Sequence, residues 1–276
     1  MSKTTRILMC PPDHFHVNYM INPWMKGNEN QVSQEKAAEE WRNLRDTISR
    51  FAEVVEIEPR PGLPDMVFTA NAGTVYRDQA VVTRFYHKER QGEEPHFKAW
   101  FEANGFTVHE LPQDMYHEGA ADALLNRGEH FFWAGHGIRT VRESQDYLHD
   151  WFGVPMELIR LIDERFYHID TCCCPLAGGY LLYYPKAFDQ ASNRLIEAKI
   201  PADRRIAVND DEAASFACNA VNIGNVVIMH QASVRIREQL GQAGFEVIET
   251  PVGEFLKAGG STKCLTLKLT EPEGGA

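Results

Sequence analysis

With 276 residues, 43% of them hydrophobic, the chain can bury a sizeable core, and no Pro, Gly or Ser linker divides it, so a single domain over 1–276 is expected. Its 28 Lys and Arg stand against 39 Asp and Glu, a formal charge of −11 with no basic cluster, which argues against a nucleic-acid partner. No stretch approaches the ~20 apolar residues of a membrane helix and the N-terminal apolar run is too short for a signal peptide, so a cytoplasmic protein away from the membrane is expected.

In chain order, Ser33 is placed to cap a helix whose apolar stripe is Trp41, Leu44, Ile48 and Phe51. The run 54–59 then reads as a strand and 66–85 as a strand pair. Phe97, Trp100 and Phe101 mark a second helix stopped at Gly105, followed by a strand within 105–112 and a strand pair over 120–135. Tyr147, Leu148, Trp151 and Phe152 mark a third helix stopped at Gly153, followed by a strand within 154–163. The segment from Asp170 to Tyr184 reads as strand; Phe188, Ala191 and Leu195 suggest a fourth helix before a strand at 204–210. Ile236 and Leu240 suggest a fifth, stopped at Gly244 before a strand within 244–251.

The chain therefore repeats a mixed α/β unit five times, at a spacing of roughly 50 residues. ANGFTVHELP and QAGFEVIETP are similar even letter by letter. Each unit is too small to bury its own face, so neighbours must cover one another. A ring of five would bring the polar segment tips together: Asn71, Glu118, His168 with Asp170, Asn219 and Cys264.

The six cysteines show no disulfide or zinc spacing, and the run Cys172, Cys173, Cys174 reads as buried small residues; no metal and no cofactor are expected. Cys264 follows the glycine-rich segment KAGGSTKC, where backbone approaches a ligand closely; it is either a thiolate nucleophile or the first buried residue of the last strand. His168 and Asp170, two apart on a presumed strand, would share one face and one pocket.

Taken in order, FTAN (68–71), HEGAAD (117–122), HID (168–170) and GGSTKC (259–264) resemble the guanidino-group modifying enzymes: arginine deiminases, dimethylarginine dimethylaminohydrolases and glycine amidinotransferases. The resemblance runs the length of the chain and implies a five-bladed α/β propeller, a fold of pseudo-fivefold strand-helix units. It makes Cys264 the nucleophile, His168 the general acid and base, and Glu118 the residue orienting the imidazole. Asp170 would grip the guanidinium, Asp65 the α-amino group, and Arg90 and Arg139 the carboxylate, with Arg84 an alternative to Arg90 and a solvated rim the alternative for these arginines. Paired N–H donors on a planar cation suit bidentate carboxylates, and a cation beside the thiol favours the thiolate.

Where deiminases carry aspartate after FTA, this chain has Asn71. That asparagine and the opening CPPDHFHVNYMINPWM resemble bacterial arginine dihydrolases, which convert arginine to ornithine, carbon dioxide and two ammonia; Asn22 would then lie at the mouth of the site. Asn71 could instead simply cap a turn. Some such relatives carry a further ornithine-handling domain, so only the hydrolytic half is expected here. The expected partner is a small molecule, L-arginine or a derivative, and association into a homo-oligomer is compatible with this. The alternatives are arginine deiminase, dimethylarginine dimethylaminohydrolase, amidinotransferase, or a non-catalytic ribosome-binding factor of the same fold.

Overall fold

The computed structural model describes residues 5–270; residues 1–4 and the end at Ala276 lie outside the described residues. Among the described residues, fifteen strands form five three-stranded sheets, joined by helices in a mixed α/β order. In the first unit, β1 (Arg6–Met9) leads through helix α1 (Gln34–Ser49) to β2 (Glu53–Glu56). The second has β3 (Gly73–Tyr76), β4 (Gln79–Val82), helices α2 (Lys88–Gln91) and α3 (Glu94–Ala103), and β5 (Thr107–Glu110). The third runs β6 (Ala123–Leu125), β7 (Phe132–His136), α4 (Ser144–Phe152), β8 (Met156–Arg160). The fourth runs β9 (Cys173–Leu176), β10 (Tyr180–Tyr183), α5 (Gln190–Lys199), β11 (Arg205–Ala207). After α6 (Asp210–Ala214), the fifth runs β12 (Val221–Ile223), β13 (Val226–Met229), α7 (Val234–Gln242), β14 (Glu246–Glu249).

The end of the chain completes its beginning. After α8 (Gly253–Leu256), strand β15 (Leu267–Thr270) pairs antiparallel with β1, which pairs parallel with β2, so the first unit is assembled from both ends of the sequence. Every other sheet repeats that pattern, first strand antiparallel to the middle one and middle strand parallel to the third.

The alternation of side chains across a strand explains why the units need each other. In β1, Ile7 and Met9 pack with Trp41, Leu44 and Ile48 of α1, while Leu8 packs with Ala80, Val82 and Phe97 of the next unit. Val81, pointing the opposite way from Ala80 and Val82, packs with Phe132, Leu148 and Phe152 of the third. Removing such a fully buried side chain as Phe101 should cost about 3–5 kcal/mol.

The strand and helix expectations hold, with five local corrections. The segment from Asp170 to Tyr184, expected as strand, is the antiparallel pair β9 and β10 parted by a turn at Ala177–Gly179. Pro64–Val67 and Thr69–Asn71 are 3-10 turns, so the pair expected over 66–85 begins only at Gly73. His168 and Asp170 do not share a strand face: Ile169–Thr171 is a 3-10 turn, closed by Thr171 N and Oγ1 donating to the His168 carbonyl, and strand begins at Cys173. Phe188 precedes α5 instead of lying in it, because Asp189 caps that helix through Ser192 N. Cys264 is separated from β15 by a turn in which Leu265 N donates to Ser261 O and Thr266 N to Lys263 O. Among the described residues no helix is long and apolar enough to cross a membrane.

Candidate active site

A turn precedes the first strand of every unit, and the polar residues singled out from the sequence sit in these turns: Asn71 before β3, Glu118 before β6, His168 and Asp170 before β9, Asn219 before β12 and Cys264 before β15. All six are buried. The turns pack against one another. Gly119 makes one such approach workable: it has φ +70°, and a Cβ there would meet Ala70 O at 2.8 Å. Gly260 makes another, since a Cβ would lie 2.4 Å from the Phe68 ring.

The Cys264 sulfur lies 3.6 Å from Asp170 Oδ2, and Asn219 Nδ2 donates to it at 3.1 Å. Asn219 Oδ1 accepts from the backbone N of Ser261 and of Cys264, so this amide fixes the loop that presents the thiol. Burial, then the Asp170 carboxylate, push the Cys264 thiol well above its usual range. Burial likewise pushes Asp170 up, to about 6. Two groups that each resist becoming anionic stand side by side, and a cation between them would relieve both. Asp170 Oδ1 has no hydrogen-bond donor.

His168 is held between two carboxylates. Its Nδ1 lies 2.8 Å from Asp122 Oδ2, and its Nε2 3.1 Å from Glu118 Oε2. Burial opposes the imidazolium, but Asp122 and Glu118 outweigh it and raise His168 to about 9. Burial also opposes the charge of Glu118, yet Arg139 and His168 hold its carboxyl well below the usual range. Arg139 Nη1 donates to Glu118 Oε2 at 3.1 Å, and the Tyr86 backbone N to Oε1 at 3.2 Å.

Asn71 is oriented by its neighbours: Arg90 Nη1 donates to its Oδ1 at 2.8 Å, and its Nδ2 donates to the Glu118 carbonyl at 3.0 Å, 3.4 Å from His168 Nε2. It therefore does more than cap its own turn. Arg90 is buried and largely engaged, donating through Nε and Nη2 to Glu93 and through Nη2 to the Asp65 carbonyl. Asp65 is buried, accepts from Tyr19 O–H at 2.9 Å on Oδ2 and has no donor to Oδ1. Arg84 lies apart, paired with Glu94, so between the two arginines it is Arg90 that joins the cluster. Neither Arg90 nor Arg139 is on a solvated rim.

Arg139 lines a cavity of about 320 Å³ together with Ile21, Asn22, Tyr86 and Tyr167. The Tyr167 ring adjoins His168, and its O–H donates to Gly259 O, so this cavity opens beside these turns. Asn22 is fixed there, donating to Ala258 O and accepting from Trp24 N.

The structure adds Asp122, Glu93 and Tyr19 to the residues that the sequence points to. Asp122 was visible in HEGAAD, four residues after Glu118, but which nitrogen of which histidine it meets is a tertiary matter. Nothing local marks Glu93 or Tyr19, which act through Arg90 and Asp65. In the sequence Asn219 is legible only as a segment tip.

A family model described as N,N dimethylarginine dimethylhydrolase, eukaryotic, matches residues 11–271. The bifunctional arginine dihydrolase/ornithine cyclodeaminase ArgZ of Synechocystis sp. is 58% identical over 99% of this chain, which spans 39% of that relative's length. An N(G),N(G)-dimethylarginine dimethylaminohydrolase of Mycobacterium tuberculosis is 38% identical over 97% of this chain and 86% of its own length. Among solved structures, the N-terminal domain of ArgZ, a C264S mutant bound to substrate, superimposes with a TM-score of 0.96 at 58% identity, covering 97% of this chain and 99% of that one. The ArgZ domain carrying N71S is covalently bound to a reaction intermediate, with a TM-score of 0.96 at 58% identity over 97% of this chain and 98% of that one. With the family model spanning nearly the whole chain and five polar turns gathered around one thiol, the protein belongs to the dimethylarginine dimethylaminohydrolase-type family of guanidino-group modifying enzymes.

Proposed function

We propose that this chain is a hydrolase of free L-arginine that carries it through to ornithine, carbon dioxide and two ammonia, an arginine dihydrolase. The observation that carries the reading is the pair Cys264 and Asp170: a thiol and a carboxylate, both buried, 3.6 Å apart, each pushed toward its neutral form. A guanidinium bound to the open Oδ1 of Asp170 favours both anions at once and sets its carbon beside the sulfur. The open Oδ1 of Asp65 suits the α-ammonium, and Arg139, on the cavity wall, the carboxylate. Arg90 acts by holding Asn71 and Glu93 in place.

The thiolate attacks the guanidinium carbon, and His168, already protonated, gives its proton to the departing nitrogen, so ammonia leaves and an S-alkylthiouronium remains. His168 then takes a proton from water, whose oxygen bonds to the carbon as the C–S bond breaks, giving citrulline. A second attack on the ureido carbon expels the second ammonia; hydrolysis leaves a carbamate that loses carbon dioxide. Arginine and two waters thus balance ornithine, carbon dioxide and two ammonia. Asn71 supports the second round because its amide, unlike a carboxylate, offers N–H to a neutral ureido oxygen.

The likeness to ArgZ supports this choice, including its substrate-bound C264S form and the covalent intermediate retained by its N71S form, at numbers occupied here by Cys264 and Asn71. The contacts of first strands and turns between successive sheets, with the core that the fifth sheet shares with the first, support a closed five-bladed ring, with the site at one end. Dimethylarginine hydrolysis is the second reading, favoured by the family model itself. Incubation with arginine should release two ammonia per arginine consumed, with ornithine as product and a transient mass adduct on Cys264. One ammonia with citrulline, or turnover confined to dimethylarginine, sinks the proposal.

A further inference from the structure

Asn219 is fully buried in the turn before β12, and both ends of its side-chain amide are committed. Its Oδ1 accepts from the backbone N of Ser261 at 3.2 Å and of Cys264 at 3.1 Å. Its Nδ2 donates to the Asp170 backbone carbonyl at 3.0 Å and to the Cys264 sulfur at 3.1 Å. The amide fits only one way round. Turned over, it would set its NH₂ against two N–H donors and its oxygen against a carbonyl. The Asp170 carbonyl can only accept, so it takes one amide hydrogen and the other is left for the sulfur. Sulfur is therefore the acceptor in this contact, and the thiol hydrogen is directed to Asp170 Oδ2 at 3.6 Å.

A donor fixed on sulfur favours the charged form, because hydrogen bonds to an ion are roughly twice as strong as those between neutral groups. Here it works against the surroundings. Burial and then Asp170 push the Cys264 thiol up, whereas the Ser261 backbone, Lys263 and the Asn219 amide oppose that rise. Tyr167, also near the sulfur, is itself pushed far above its usual range by burial and stays neutral.

We propose that Asn219 is a further catalytic residue, whose amide N–H stabilises the Cys264 thiolate before attack and receives it again when the C–S bond breaks and its electron pair returns to sulfur. The role at the free thiolate stands on the contacts above; the role in turnover rests on the proposed arginine chemistry. Docking of the loop is a separate duty, shared with the Asn219 backbone carbonyl, which accepts from Thr262 Oγ1 at 2.7 Å and Lys263 N at 3.3 Å.

The test is the rate at which iodoacetamide alkylates Cys264, read by peptide mass without arginine present at several fixed pH values. The new C–S bond expels iodide and needs the thiolate. Asn219→Asp keeps the shape and an oxygen for the loop N–H groups but withdraws the donor; Asn219→Ala withdraws it without adding charge. With Tm confirming that each is folded, both should be alkylated about tenfold or more slowly than wild type. Their kcat for arginine should fall by a similar factor with KM little changed. Thr262→Val loosens the same loop without touching the donor, and should lower Tm while Cys264 keeps its wild-type alkylation rate. Wild-type rates in the Asn219 variants overturn the proposal, and so does equal slowing by Thr262→Val, which would assign Asn219 to loop docking alone. Slowed alkylation in a protein that does not turn over arginine would reject the arginine chemistry and keep the thiolate donor.

Discussion

Asp122 Oδ2 meets His168 Nδ1 at 2.8 Å, and this contact settles which face of the imidazole is free to act. The same carboxylate accepts from Thr140 O–H at 2.6 Å and, through Oδ1, from the backbone N of Ile169, so the ring is anchored by a group that is itself anchored. Nε2 is left toward Glu118 and Asn71. Asp122→Asn keeps the shape but withdraws the charge that sustains the imidazolium. Its kcat for arginine should fall by about 10²-fold or more, and the alkaline limb of its pH profile should move down. A variant with reduced activity and an unmoved limb would assign Asp122 a packing role only.

The two perturbed groups fix the pH window. In the proposed mechanism Asp170 binds the guanidinium as a carboxylate, and it is pushed up to about 6, so kcat/KM should fall as pH drops through that value. In the same mechanism His168 is protonated to expel ammonia, and it is raised to about 9, so kcat/KM should fall as pH rises through that value. A bell-shaped profile with limbs near these values is expected. Stability follows the same protons. His168 is raised above its ordinary 6.5, so its contribution is complete below that value and disappears as pH rises through about 9. Asp170, raised from 3.8, adds a penalty as pH rises through about 6. Thermal melts should therefore show Tm declining from pH 6 to pH 9 through His168, the Asp170 penalty being complete by about 6, and a Tm that climbs over this range would contradict the His168 assignment.

Arg90 and Arg84 should separate cleanly. Arg90→Ala strands Glu93, which is fully buried, and removes the donor that orients Asn71, so about 3–5 kcal/mol of stability should be lost. Arg84 and Glu94 are partly exposed, and Arg84→Ala should lose about 1 kcal/mol or less in the same urea titration.

Asn71→Asp replaces an N–H donor to the Glu118 carbonyl by an oxygen, which should cost about 1–3 kcal/mol through lost and opposed hydrogen bonding. Arg90 still supplies a donor to the remaining oxygen. The product of this variant should shift from ornithine toward citrulline, read by chromatography after complete consumption of arginine. Unchanged ornithine yield would show that residue 71 does not govern the second round.

The five-unit plan was legible because each unit writes the same local rules: apolar spacing for a helix, a glycine or polar stop, an apolar strand, a polar turn. Helix α1 with its Ser33 cap and α4 with Gly153 in the left-handed region were readable from their own residues. The short 3-10 turns were not, because Ile169–Thr171 and Thr69–Asn71 carry strand-like residues and are bent by contacts with other turns. The same limit applies to the chemistry. Residue type and order brought Cys264, His168, Glu118, Asp170 and Asn71 into view, since a nucleophile, a proton carrier and carboxylates are rare enough to notice at segment tips.

What the linear chain determined, then, was the inventory of candidate site groups and the repeat that carries them, both functions of local pattern. Only the tertiary structure decided that Asp122 holds His168, that Arg90 is consumed by Glu93 and Asn71, and that Asn219 steadies the Cys264 loop. Each of these pairs joins residues through geometry that a sequence does not encode locally. A hydrogen bond depends on a few tenths of an ångström between atoms positioned by different units.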